Sequence, residues 1–196
     1  MQNEKTLNIN PLFEAAREFQ NIFEKQKWPF CFIGGLAAIR WGELRMTQDI
    51  DLCLLCGFGN EDRYINTLLE LFTSRISNAH SFALENRVLL LYASNGVSVD
   101  ISLSGLPFEE EMIKSSTLFE FTSDCSLRTC SADDLIILKA FANRSKDWMD
   151  IESIVLRQGD KLHQKYIIAQ LLPLCELKNT PDVIDKLKKT FKSQID

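Results

Sequence analysis

The chain has 196 residues, 45% of them hydrophobic and 25% charged, a composition that suits one α/β domain or a core with a small helical appendage. It excludes two large domains and a mainly disordered state. With 22 Lys plus Arg against 27 Asp plus Glu, the net charge of −5 repels nucleic acid and anionic membrane at long range, so any nucleic-acid contact must be local.

Met1 to Asn10 is polar and lacks the apolar core of a signal peptide, and no apolar run approaches the roughly 18 residues of a membrane span. A soluble, cytoplasmic chain is expected. Asn10-Pro11 supplies an N-cap and a proline at the first helical position. Phe13, Ala16, Phe19, Ile22 and Phe23 then recur at helical spacing until Trp28-Pro29 stops the helix. Phe30 to Ile33 reads as a short apolar strand running into a Gly34-Gly35 turn and a helix from about Leu36 to Trp41. Asp49 to Leu55 reads as a strand, Glu61 to Ser74 as an amphipathic helix, and Arg87 to Ala93 as another strand. Ser94-Asn95-Gly96 predicts a hairpin to a strand at Val97 to Leu103, because Asn-Gly supplies the positive φ that tight hairpin loops demand.

Leu118 to Phe121 is a further expected strand, after which the pattern turns helical. Ser131 caps a run from Ala132 to Asn143, with Asp134 completing a capping box. Helices are expected over about Lys146 to Leu156, Leu162 to Leu174 and Pro181 to Phe191. The fold class is therefore α/β (α+β), with a mixed sheet flanked by helices. Residues 1–128 form the core and residues 129–196 a C-terminal helical region. Six cysteines lie among apolar neighbours, as in Phe30-Cys31-Phe32-Ile33, and are read as reduced and buried. Cys53 and Cys56 form a lone CxxC with no second pair or suitably spaced histidine for zinc.

The informative stretch is Gly34-Gly35, thirteen intervening residues, then Asp49-Ile50-Asp51-Leu52. On a strand Asp49 and Asp51 project to the same face while Ile50 and Leu52 enter the other. Two adjacent carboxylates repel unless a cation sits with them, and hard oxygen ligands suit Mg²⁺ or Mn²⁺. A glycine turn at a helix N-terminus leaves backbone amides free for a phosphate. Together these are the equipment for a nucleoside triphosphate. Asp100, between Val99 and Ile101 on a later strand, is expensive to bury unpaired and is the candidate third carboxylate. Arg45, and less clearly Arg40, lie where a guanidinium clamps phosphate or an RNA backbone, each with a plain solvated reading beside it. Lys139 is flanked by Ile136, Ile137, Leu138 and Phe141, which favours a binding role over a free surface lysine. Lys186, Lys188, Lys189 and Lys192 read as one face of a solvated terminal helix.

These residues resemble the DNA polymerase β-like nucleotidyltransferase superfamily, whose signature is a Gly-Gly or Gly-Ser turn, an Asp-x-Asp strand and a later single Asp. The strings Gly34-Gly35-Leu36-Ala37-Ala38 and Arg45-Met46-Thr47-Gln48-Asp49-Ile50-Asp51-Leu52 are similar to the AbiEii family of abortive-infection and type IV toxin–antitoxin nucleotidyltransferases. So are Lys139-Ala140-Phe141-Ala142-Asn143-Arg144 and Lys146-Asp147-Trp148-Met149-Asp150-Ile151. The resemblance implies catalysis and metal binding (Mg²⁺ or Mn²⁺) by Asp49, Asp51 and Asp100. Nucleotide and phosphate contacts fall to Gly34, Gly35, Arg45, Thr47, Lys139 and Asp147. Asp150 stays open as the alternative late acid, and Gly35 stands where many relatives carry Ser. The resemblance further implies NTP as substrate, an RNA acceptor such as a tRNA 3′ end, a toxin or phage-defence role and a cognate antitoxin. A small-molecule acceptor, as in aminoglycoside nucleotidyltransferases, is the enzymatic alternative. A non-catalytic nucleotide-binding or interaction module is the other.

Overall fold

The structure, a computed structural model, describes residues 10–193; the polar stretch before Asn10 lies outside the described residues. Helix α1 (Pro11–Gln26) starts where the Asn10 side chain accepts from the Leu12 amide at 3.0 Å. It ends at Lys27, whose left-handed backbone (φ 57°) closes the last turn. There follow β1 (Phe30–Phe32), α2 (Gly34–Trp41), β2 (Asp49–Leu55), α3 (Glu61–Leu71), β3 (Thr73–Ser74), α4 (Ala79–Asn86), β4 (Val88–Tyr92) and β5 (Ser98–Ser104). The second half runs α5 (Pro107–Ser115), β6 (Thr117–Thr122), β7 (Cys125–Thr129), α6 (Ala132–Ala142) and α7 (Ser145–Gln158). After a short 3-10 turn come α8 (Gln164–Lys178) and α9 (Asp182–Lys192).

The mixed sheet has the order β3-β4-β5-β2-β1-β7-β6. β2 is antiparallel to β1 but parallel to β5, and the hairpin expected at Asn95-Gly96 joins β4 to β5. Residue alternation along the strands gives the sheet two unlike faces. Ile50, Leu52 and Leu54 of β2 join Leu89 and Leu91 of β4 and Val99 and Ile101 of β5 in a core with α1, α3 and α4. Cys31 and Cys53, on the opposite parity, join Ala37 and Ala38 of α2 in a second core with α5 to α9. The chain after Thr129 is thus a layer laid over one face of the sheet, and Asp49 and Asp51 share that face with Cys53.

Several elements differ from expectation. The helix from Glu61 stops at Leu71 rather than Ser74: Phe72 turns extended and stacks on Phe19 of α1, ring centroids 4.2 Å apart, and Thr73–Ser74 pair with β4. Tertiary packing overrides the helical period there. Helix α4 escapes notice because it is eight residues long and buries only Ala79 and Ala83. Helix α5 begins at Pro107, with the Glu109 carboxylate accepting the Gly105 and Leu106 amides at 2.8 and 2.9 Å. β7, also unforeseen, pairs with β1 and β6 and so brings the second half of the chain into the sheet. Helix α8 starts two residues later than expected and continues through Pro173 to Lys178. At α6 the Ser131 hydroxyl accepts from the Asp134 amide at 3.1 Å, but the Asp134 carboxylate meets that same hydroxyl, at 2.6 Å, instead of the cap's backbone N–H. All six cysteines are free and buried.

Candidate active site

In the parallel β2–β5 pair, Asp51 stands directly beside Asp100 and Asp49 beside Ser98. Neighbours in register point to the same side, so three acids separated by up to 51 positions share one face. Asp49 is exposed and Asp51 and Asp100 are half-buried. The electrostatics record this crowding. Burial, the Asp49 charge and the Asp100 charge push the Asp51 carboxyl above its usual range, while the Gly35 amide and Lys139 pull it back.

The glycine turn is shaped around these acids. Gly34 opens α2 at φ +56°, and a side-chain carbon there would land on the Asp51 carboxylate. The Gly35 amide donates a long 3.4 Å hydrogen bond to Asp51 Oδ2. A carbon on Gly35 would land on the Thr47 hydroxyl. Thr47 therefore fills the space that a serine side chain in place of Gly35 would need, and offers its own hydroxyl there, 3.2 Å from Asp49 Oδ1.

The basic residues reach this face from α6, α7 and the loop before β2, as one chain of ion pairs. Arg45 grips Asp150 with Nε and Nη2 at 2.7 and 3.0 Å. Asp150 also accepts from Lys139 Nζ at 2.6 Å, and Lys139 lies 3.7 Å from Asp147. Asp147 takes the Arg144 fork at 2.6 and 3.1 Å and the Arg144 backbone N–H at 3.3 Å. Lys139 is 5% exposed, Asp147 1% and Asp150 8%, so the middle of the ladder is buried. Burial would raise Asp147, but the bonds and charge of Arg144, with Lys139, outweigh it and hold this carboxyl below its usual range. Arg144 is held above its ordinary value, chiefly by Asp147 and further by Asp51 and Asp49. Its side chain stays 62% exposed, with guanidinium donors left over.

The family description "Nucleotidyl transferase AbiEii toxin, Type IV TA system" matches residues 17–194. The chain belongs to the AbiEii nucleotidyltransferase family. As an AbiEii nucleotidyltransferase its activity is NTP-dependent transfer of a nucleoside monophosphate, and a type IV toxin–antitoxin system implies an antitoxin partner. Searching curated proteins finds no match. Solved structures share the fold. ANT(2'')-Ia in complex with adenylyl-2''-tobramycin superposes with TM-score 0.54 at 13% identity, covering 94% of this chain and 98% of that one. The lincosamide antibiotic adenylyltransferase LnuA, lincomycin-bound, gives 0.51 at 12% over 72% and 94%. An antigenic nucleotidyltransferase-like protein from Paracoccidioides brasiliensis gives 0.50 at 15% over 90% and 91%.

Of the residues singled out from the AbiEii motifs, Asp49, Asp51, Asp100, Gly34, Gly35 and Thr47 are brought together. Lys139 approaches the same face with its ammonium committed to Asp150. Arg45 and Asp147 join through ion pairs, and Asp147 is linked to the carboxylates by way of Arg144 and Lys139. Arg40 is half-buried and bonds Thr117 and Thr129 and stacks on Trp41, tying α2 to β6 and β7. Two residues escaped notice, Arg144 as a site residue and Arg75, which pairs with Asp100 Oδ1 through Nη1. Arg144 carried a signal, three residues before Asp147 at a helix start; Arg75 carried none. The hard-oxygen donors and the crowded Asp51 fit a divalent cation. Even so, among the described residues no three His, Cys, Asp or Glu side chains converge as a preformed metal site. A cleft of about 660 Å³ lined by Phe108, Asp133, His163 and Tyr166 contains none of these acids. Among the described residues no helix is long and apolar enough to cross a membrane.

Proposed function

We propose that this chain is a divalent-metal-dependent nucleotidyltransferase toxin that moves a nucleoside monophosphate from an NTP to a hydroxyl of RNA, in the manner of a tRNA 3′ end, and is countered by a cognate antitoxin. The observation carrying this reading is the register that sets Asp100 beside Asp51, on the face reached by Arg144. Asp49, Asp51 and Asp100 would hold Mg²⁺ or Mn²⁺. Bound there, such an ion would supply neutralising charge to the triphosphate and would acidify the attacking hydroxyl. The chain's own groups do the rest. The Gly34-Gly35 turn lets phosphate approach the α2 amides without a side chain intervening, and the Thr47 hydroxyl stands beside it as a further donor. Arg144, fixed by Asp147, turns its free donors to the phosphates as charge moves onto the leaving pyrophosphate. Lys139, seated by Asp150, adds a buried positive charge beside Asp51. The RNA acceptor rests on the type IV toxin family; with a net charge of −5, contact with RNA is confined to this cationic side of the site.

The test is incubation of purified protein with each α-labelled NTP, Mg²⁺ or Mn²⁺, total RNA, total protein and a panel of aminoglycosides and lincosamides. Label is expected in RNA, and Asp49→Ala with Asp51→Ala is expected to abolish it while the protein stays folded. Label in the small molecules instead would transfer the reading to antibiotic modification. No label with any metal would leave a nucleotide-binding module.

A further inference from the structure

Asp100, the third carboxylate of the proposed metal set, already has a cation. Arg75 follows β3, and its amide continues the pairing by donating to the Leu90 carbonyl at 3.0 Å. Leu90 of β4 is the register partner of Asp100, which is in turn the partner of Asp51. Arg75, Leu90, Asp100 and Asp51 thus form one row across four strands. Leu90 lies opposite in parity to the buried Leu89 and Leu91, on the carboxylate face. The Arg75 side chain reaches over the Leu90 position and puts Nη1 on Asp100 Oδ1. Both side chains are partly accessible, 26% and 34%, so the pair exchanges with solvent and solutes rather than being locked in the core.

A guanidinium on Asp100 and a divalent ion on Asp100 draw on the same oxygen charge. We infer that Arg75 is a positioning residue that acts as a built-in competitor: its guanidinium holds the Asp100 carboxylate, and a divalent cation would complete its ligand set there only by displacing it. Among the described residues Arg75 is the one cation ion-paired with Asp100. This gives Arg75 a role distinct from Lys139 and Arg144, which pair with Asp150 and Asp147 and make no ion pair with Asp100.

This inference rests on the metal-dependent reading above, and the experiment separates the two. Mn²⁺ alone is titrated into the full chain by calorimetry, with bound Mn²⁺ counted independently by electron paramagnetic resonance. Folding of each variant is verified by circular dichroism. Arg75→Gln is expected to tighten Mn²⁺ binding roughly three- to fivefold over the unsubstituted protein, the loss of a partly exposed competing ion pair. In an Asp100→Asn background the same substitution is expected to change the Kd less than about twofold, since the shared ligand is gone. Arg75→Lys, with the charge kept on a different stem, guards against a folding defect in the glutamine variant and is expected to fall between. Unchanged or weaker binding by Arg75→Gln overturns the inference, while Mn²⁺ binding by the unsubstituted protein that is lost in an Asp51→Asn variant leaves the metal reading standing. Equal tightening in the parent and in the Asp100→Asn background also overturns it, because the effect is then long-range charge alone. Absence of Mn²⁺ binding in every variant overturns both.

Discussion

Substituting Asp150 by Ala removes the central acceptor of the buried ladder. Three charge-assisted hydrogen bonds are lost, two from Arg45 and one from Lys139. Arg45 is 39% exposed and rehydrates at small cost. Lys139 does not: its ammonium stays buried, with Asp147 3.7 Å away as the nearest remaining acid and already gripped by Arg144. Stranding a buried charge in this way costs about 3–5 kcal/mol. For a chain of this size each kcal/mol moves the midpoint by about 2–4 °C, so Asp150→Ala is expected to melt roughly 6–20 °C lower. The measurements are thermal and urea unfolding followed by circular dichroism and tryptophan fluorescence, with coincident transitions as the two-state check. The second arm is Lys139→Met added to Asp150→Ala. With the stranded charge gone, at least about 2 kcal/mol should return even though two polar groups have been deleted. A double variant no more stable than the single one, or a single variant within about 1 kcal/mol of the parent, would refute the claim that Lys139 depends on Asp150.

Gly34→Ala forces a side chain into a left-handed position and onto the Asp51 carboxylate. It should cost about 1–3 kcal/mol in chemical denaturation and lower nucleotidyl transfer by roughly tenfold or more. Asp51→Asn should do the opposite to stability. Because burial and the Asp49 and Asp100 charges raise the native Asp51 carboxyl, the native state holds that proton more tightly than the unfolded chain. The group's contribution is thus fully present below the unfolded carboxylate value of about pH 4 and is lost as pH rises through the raised native value. Without metal at pH 7 the Asn variant should gain about 0.5–2 kcal/mol while losing activity, and its stability should fall less as pH is raised. A variant less stable than its parent at neutral pH would contradict the crowding argument. Finally, burial pushes the Cys53 thiol up to about 12 and Cys56 to about 11, and raises Cys31 and Cys130 as well. Ellman's reagent near pH 8 should find no rapidly reacting thiol in the native protein and six after denaturation; one stoichiometric fast thiol in the folded protein would count against this.

The sequence by itself determined what is local. Alternation put Asp49 and Asp51 on one face of a strand and Ile50 and Leu52 on the other. Asn95-Gly96 marked the β4–β5 hairpin, and paired glycines before a helix marked the turn that fits Asp51. The motif strings carried the AbiEii family and most of the site, because each string is a short stretch whose chemistry and spacing are both visible in one dimension. The tertiary structure decided which distant charges meet. Register placed Asp100 beside Asp51, and the packing of α6 and α7 on that face paired Asp150 with Arg45 across 105 residues and with Lys139. A two-residue strand carried Arg75 to Asp100. No periodicity announces such pairs: a charge has no preferred sequence separation from its partner, and burial chooses the partner only after the layers have closed.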